Sequence, residues 1–555
     1  MAFSFVERDK WISKFERETY DLIIIGGGIT GAGVARDAAS RGMKVALIEA
    51  RDFAFGTSSR SSKLIHGGIR YLENLEFRLV FEALSERRLL FENAPHLVHP
   101  LRFVLPLYRG GRVGMFKMGL GMWLYDALSL FEAPEPHERL SASETMLRLP
   151  LLKESDLLGS YVYSDAYMDD DRLVLETLRS AADFGAEAVN YVRATGAIKE
   201  ASGGRLIGVL AEDVIGRRPL KIFGRHIIST VGPWTDELAS RLIDSWKNIL
   251  RPSKGVHLTF SRDRIPLQQA VVMAADHEKR IVFGIPRHEM VIVGTTDTDF
   301  QSDPSEVTTS SEDVSYLLRV ANEYFPGAKL TADDIIATYA GVRPLVDDGS
   351  ESESKTSREH LILRDPRNVT FVAGGKYTTY RRMAEETVEV ALEAYSVEEQ
   401  VRFQKPNTKL PLNPLASLDS LHVARRNVSQ VSQEFAQPES LVSALVERHA
   451  LETESILERL VTHPLASRDL PPTIKLWMAE VLHAVEETMC LSLCDFYFRR
   501  SPLFLSQPDH GVSMLPTLAR VMQSALGWND QQKEAEIQKL QELMQWELGW
   551  KMQRR

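Results

Sequence analysis

Cysteine is almost missing from this chain: 555 residues contain two, Cys490 and Cys494. Four apart in a helical-looking stretch, they share one face, so a disulfide framework is excluded and a reducing compartment is implied. They read as two small buried hydrophobes. Long apolar runs are missing too. No stretch reaches about 18 uncharged apolar residues, and the opening MAFSFVERDKWISKFERETYD is too charged for a signal peptide, so neither a membrane-spanning nor a secreted protein is expected. There is no excess of positive charge: 66 Lys and Arg face 76 Asp and Glu, a net charge of −10. That disfavours a general nucleic-acid binder and leaves room for one local cationic pocket. What remains is ordinary globular composition, 44% hydrophobic and 26% charged, enough to bury a sizeable core. At roughly 150 residues per domain, the length predicts three to four domain-sized units or two large ones.

The clearest local signal spans residues 20 to 50. A β-branched run, Tyr20 to Ile25, leads into Gly26, Gly28 and Gly31 as G-x-G-x-x-G; a helical stretch follows, then a second strand, Lys44 to Ile48, ending at Glu49. In this βαβ context the first glycine permits a tight turn, the second lets backbone approach a pyrophosphate, and the third lets helix and strand pack closely. The helix N-terminus favours phosphate and Glu49 is placed to accept ribose hydroxyls. The motif fits NAD or FAD. No second such motif follows, and a long β-rich segment does, which favours FAD with the substrate itself as reductant. Short β-type runs continue over Arg205–Thr230, Ile281–Val293 and Val369–Ala373. From about residue 400 a proline-bearing linker, FQKPNTKLPLNPLASLDS, gives way to amphipathic helical pattern, ending in a stretch from Asp530 to Trp550 that reads as a docked helix.

Three further segments stand out. Gly56 to Glu73, GTSSRSSKLIHGGIRYLE, is a hydroxyl-rich loop able to cradle phosphate or simply cap a helix. Asp169 to Asp171 precede an apolar run and read as helix N-cap and turn residues rather than a metal site. Val113 to Phe131, interrupted only by Lys117 and Asp126 and preceded by Arg102, Arg109 and Arg112, reads either as a buried core helix or as a monotopic patch dipping Phe116, Met122, Trp123 and Tyr125 into a bilayer surface.

With Gly56–Glu73 the sequence resembles the FAD-dependent glycerol-3-phosphate dehydrogenase family. YSDAYMDDDRL (161–173), RPSKGVHL (251–258), GTTDTDF (294–300), AGVRPL (340–345), SREH (357–360) and GGKYTTYR (374–381) recur in that family's order and, with the helical C-terminal region, cover nearly the whole chain. STVGPW at 229–234 departs from the N-A-T-G-P-W expected there. The resemblance implies an α/β (α+β) flavoprotein: a Rossmann-like FAD-binding domain interleaved with a β-rich substrate domain over 1–405, and an all-α domain over 415–555. The FAD part would include 18–75, 205–235 and 365–395, and the substrate part roughly 80–160 and 250–345. It gives cofactor contacts to Thr57, Ser58, Ser62, Lys63, Leu64, Gly375 and Thr378 beside Gly26, Gly28, Gly31 and Glu49. Arg70 and Tyr71 would meet substrate, with Arg343, Arg358 and Lys376 on its phosphate. His257 is the candidate base; alternatively Arg343 holds the developing alkoxide while water or His257 takes the proton.

The implied reaction is oxidation of sn-glycerol 3-phosphate to dihydroxyacetone phosphate. Because 341–360 lacks the long insertion usual in the related oxidases, a quinone is the expected acceptor, with the enzyme peripheral on the inner face of the cell membrane. Competing readings are a glycerol-3-phosphate oxidase using O₂, an FAD-dependent amine or amino-acid oxidase, and a non-enzymatic nucleotide-bound scaffold. No metal is expected, and oligomeric state stays open, a homodimer among the options.

Overall fold

The computed structural model describes residues 3–72, 76–130, 132–201, 204–275, 280–347, 349, 359–467 and 470–554. Two sheets organise the first 400 residues. In the first, four apolar runs lie parallel: Thr19–Ile25 sits between Val45–Ile48 and Arg218–Ser229, and Val369–Gly374 joins on the far side of Arg218–Ser229. The near-complete burial of Thr19–Ile25, Val45–Ile48 and Val369–Gly374, and of the last residues of Arg218–Ser229, is what a sheet covered on both faces requires. The helix Ile29–Ser40 covers one face with alanines and glycines, allowing close approach to the helices Asp170–Asp183 and Tyr380–Leu392. All four strands point the same way, so Gly26, Glu49, Thr230 and Gly375 gather at their carboxyl ends, where open α/β sheets bind ligands.

The second sheet is mainly antiparallel. Ser253–Ser261 pairs with Met290–Gly294 on one side and Ile335–Arg343 on the other, while Val98–Tyr108 and Leu157–Met168 form its longest ladder. The register sets His257 opposite Tyr339 and Gly255 opposite Gly341. With side chains alternating along a strand, Tyr339, Gly341 and Arg343 fall on one face, together with Gly255 and His257.

From Leu418 to Glu547 the elements are helices around a separate apolar cluster that includes Leu445, Trp477, Phe496 and Leu518. Cys490 and Cys494 are buried there as free thiols. The long helix Asp530–Glu547 docks through Leu540 and Met544. The proline-bearing linker runs over the first domain, with Leu412 N–H donating to Asn93 O at 2.8 Å. The opening helix Phe5–Phe15 is packed too, burying Trp11, Ile12 and Phe15.

Two sequence expectations need correcting. Asp169 occupies the N-cap position of Asp170–Asp183 but makes no side-chain cap bond. Its carboxylate instead pairs with Arg287, and Asp170 with Lys63. The acidic run therefore neutralises buried cations. The 113–131 segment folds as the helix Met115–Leu128, neither fully buried nor fully free: Met122 and Tyr125 enter the core, while Phe116, Leu120 and Trp123 are 82%, 58% and 63% exposed.

Candidate active site and cofactor cleft

A cleft of about 570 Å³ opens at the carboxyl ends of the parallel strands and extends to the second sheet. Its nucleotide end is made of main chain. Gly26 turns with φ +110°, and a Cβ on Gly31 would lie 1.9 Å from Gly26 O, so the helix approaches the turn only because position 31 carries no side chain. Gly31 serves by that approach and is not itself part of the cleft wall. Ser58 Oγ accepts from Ile29 N at 3.0 Å, tying the hydroxyl-rich loop to the first turn of the helix, whose N-terminus favours a phosphate.

Glu49 accepts from Gly27 N at 2.7 Å and Arg51 N at 2.8 Å, one bond to each carboxylate oxygen. Burial raises its pKa. A carboxylate has about four lone-pair sites, so acceptors remain for ribose hydroxyls. Arg51 and Arg193 complete this end, Arg51 donating to Ser305 Oγ at 2.8 Å. Thr57 Oγ1 donates to Val342 O at 2.5 Å and Thr378 Oγ1 accepts from His66 N at 3.3 Å, tying both hydroxyl segments to the wall. Glycine turn, ribose acceptor and hydroxyl-rich wall together fit FAD.

The opposite end gathers side chains from distant segments. His257 Nε2 lies 2.9 Å from Ser62 Oγ, and its ring stacks on Tyr339 with centroids 4.7 Å apart and planes 10° off parallel. Its buried Nδ1 has no hydrogen-bond partner among the described residues. Burial, then the charges of Arg343 and Lys63, push this imidazole well below its ordinary pKa, so it is neutral at pH 7. Arg343 ends its strand with Nη1 on Asp297 at 3.1 Å and Nη2 on Thr295 Oγ1 at 3.0 Å, which fixes the guanidinium plane. It crosses Gly255, where a Cβ would come within 2.4 Å of Nη2. Lys376 also lines the cleft, at the start of the helical turn Tyr377–Thr379.

Of the residues expected from sequence, Gly26, Gly28, Glu49, Thr57, Ser58, Ser62, Leu64, His257, Arg343, Gly375, Lys376 and Thr378 line this one cleft. Lys63 is a correction: only 1% exposed, its ammonium lies on Asp170, with Ser59 O at 3.3 Å, away from the cleft wall. The family resemblance gave Lys63 a cofactor contact; its ammonium is held by a buried carboxylate instead. The side chains of Arg70 and Tyr71, and all of Arg358, lie outside the described residues. Sequence reasoning passed over Tyr339, Arg60 and Arg51. Tyr339 was within reach, since it shares the period-two face of Gly341 and Arg343. Arg60 sits inside the quoted loop but has no local partner to mark it.

The departure at 229–234 leaves the strand intact, Ser229 pairing with Ile25 and Phe371. Away from the cleft, His449, Glu452 and His483 have the composition of a metal site. Arg179 donates to both Glu452 oxygens, at 3.1 and 2.6 Å, an ion pair between the two parts of the chain.

The fold and cleft define a class, the dinucleotide-binding flavoprotein oxidoreductases. The family model described as FAD dependent oxidoreductase matches residues 21–381, and that described as the C-terminal domain of alpha-glycerophosphate oxidase matches 420–533. The aerobic glycerol-3-phosphate dehydrogenase of Bacillus subtilis is 36% identical over 549 residues, 98% of each chain. That of Staphylococcus epidermidis is 34% identical over 540 residues, 96% of each. Among solved structures, the glycerol-3-phosphate dehydrogenase from Bacillus halodurans complexed with FAD superposes with TM-score 0.80 at 28% identity, covering 98% of both chains. The chain belongs to the FAD-dependent glycerol-3-phosphate dehydrogenase family, an oxidoreductase family whose cofactor is FAD.

Proposed function

We propose that this enzyme oxidises sn-glycerol 3-phosphate to dihydroxyacetone phosphate and passes the electrons to a quinone. The observation that carries the reading is that Arg343, Lys376 and a neutral His257 line the same cleft as the dinucleotide-suited glycine turn and Glu49. The first sheet then serves FAD and the second the substrate. Bound FAD supplies the acceptor for the hydride leaving C2. The phosphate sits on Lys376 and Arg343, and the family resemblance adds Arg358 as a further phosphate ligand and Arg70 and Tyr71 as substrate contacts; Asp297 and Thr295 hold the Arg343 fork so that little rotamer freedom is lost when phosphate arrives.

As hydride leaves, the C2 hydroxyl proton passes to His257 Nε2, directly or through Ser62, and Arg343 stabilises charge developing on that oxygen. Burial does most to depress His257; a dianionic phosphate beside Arg343 would offset the smaller contribution of that cation and raise the imidazole's basicity in part once substrate is in place.

The quinone and membrane parts of the reading rest on Phe116, Leu120 and Trp123. They fall at i, i+4 and i+7 of one helix and present an apolar stripe to solvent beside Lys117. No helix among the described residues is long and apolar enough to cross a membrane, so this surface would rest on the bilayer. The experiment is the anaerobic absorbance spectrum before and after glycerol 3-phosphate. Loss of the oxidised-flavin band is expected; a protein that stays yellow has a different substrate, and one bleached instead by an amine is an amine oxidase.

A further inference from the structure

Most of the stretch Phe55 to Ser62 lines the cleft, yet its only regular structure is the helical turn Thr57–Ser59. Order here comes from outside the stretch. Just before it, Asp52 is 1% exposed and receives Arg500 Nη1 at 2.7 Å and Nη2 at 2.9 Å, together with Arg499 Nε and Asn190 Nδ2. The arginines are themselves fixed: Arg499 Nη2 donates to Asp495 at 2.9 Å, and Arg500 Nε to Thr488 Oγ1 at 3.0 Å. Burial works against the Asp52 carboxylate, but the two guanidiniums outweigh it and keep it ionised.

Near the other end, Arg60 lines the cleft with its Nη2 2.5 Å from Glu547 Oε1, and the glutamate side chain is 3% exposed. The same turn is locked to the substrate sheet, Thr338 Oγ1 donating to Glu547 O and Trp550 Nε1 donating to Thr338 Oγ1, each at 3.0 Å. Asp495, Arg499, Arg500 and Glu547 all belong to the helical C-terminal region. A buried ionic partner is costly to leave unpaired, so both ends of the stretch are held when that region is docked.

We infer that the helical C-terminal region is a built part of the cofactor site: Arg499, Arg500 and Glu547 are positioning residues that pin segment 52–60 at its two ends and hold its hydroxyl-bearing wall against FAD. The inference rests on FAD as cofactor and is independent of which alcohol is oxidised.

The test uses full-length holoenzyme and the rate at which FAD is released on dilution, read as rising free-flavin fluorescence beside the thermal midpoint. Arg500→Lys and Glu547→Gln are expected to release FAD about tenfold faster, since each weakens a charge-assisted bond that orders the wall. Glu452→Gln is the control. It breaks another buried ion pair between the same two parts of the chain, with Arg179, but touches no cleft residue, so it lowers the midpoint and leaves release unchanged. Release within about twofold of the parent in both positioning variants, or equal acceleration in Glu452→Gln, overturns the inference; a factor of two is under about 0.5 kcal/mol. If neither positioning variant folds, the parent decides. Coupling is reciprocal, so FAD must raise amide-exchange protection at 495–500 and 545–550 relative to the same protein stripped of flavin, and unchanged protection there rejects it.

Discussion

The two ends of the cleft are built on opposite principles. At the nucleotide end Gly26, Gly28 and Glu49 lie within one βαβ unit, and what shapes the site is the absence of side chains: at Gly31 a single methyl group would meet Gly26 O. Elsewhere along the cleft Ser62, His257, Arg343 and Lys376 come from four separate segments, and it is side chains that line it. The first end should be intolerant of added atoms, the second of removed ones. Each should fail without dragging the other with it.

The largest expected effect is at the first end. Gly31→Ala forces a methyl against a carbonyl oxygen that cannot swing aside, a clash of about 3 kcal/mol or more, and the purified protein should carry little FAD by absorbance ratio. Next, Arg343→Ala should lower kcat/KM on glycerol 3-phosphate at least tenfold, about 1.4 kcal/mol, with flavin content unchanged. Flavin loss in that variant would erase the distinction between the ends.

A third outcome contrasts the cleft with the interface behind it. Burial lowers the pKa of His96 to about 3 and puts His449 and His483 well below the usual value; Arg172 adds to the effect at His96 and His449, and Arg448 at His449. Glu452 faces these rings in its pair with Arg179, and Glu480 stands 3.6 Å from His449 Nε2. Because the folded pKa values lie below the unfolded one of about 6.5, the unfolded chain binds more protons in acid. Stability present above pH 6.5 is therefore lost as pH falls from there towards 3. The thermal midpoint should drop between pH 7 and 5, and His483→Gln should flatten the slope.

Smaller still, Ser62→Ala removes one hydrogen bond from His257, about 1 kcal/mol, and should slow flavin reduction several-fold. The least change in turnover is expected from Trp123→Ser on the exposed stripe. Detergent activity should match the parent, while flotation with anionic vesicles falls; a parent that ignores vesicles removes the membrane part of the reading.

The same contrast explains what could be read in the sequence. Gly26, Gly28, Gly31 and Glu49 were legible because a tight turn and a helix N-terminus are properties of consecutive main chain. His257, Arg343 and Lys376 became visible only through motif resemblance, since nothing in their own neighbourhoods requires them to meet. Asp169 was misread for that reason: it looked like a local cap, and it is half of a buried ion pair with Arg287, as Asp170 is with Lys63. The 113–131 segment was ambiguous because composition reports how apolar a helix is and not which of its sides is covered. Arg60 and Asp52 gave no signal, their partners being hundreds of residues away.

That last separation has a bearing on how the enzyme is made. Asp52 waits for a partner 448 positions downstream, so a ribosome has translated nearly the whole message before the wall beside the glycine turn can set. A chain ending short of Arg499 would lack both guanidiniums that Asp52 receives and leave that buried carboxylate uncompensated beside the cofactor cleft.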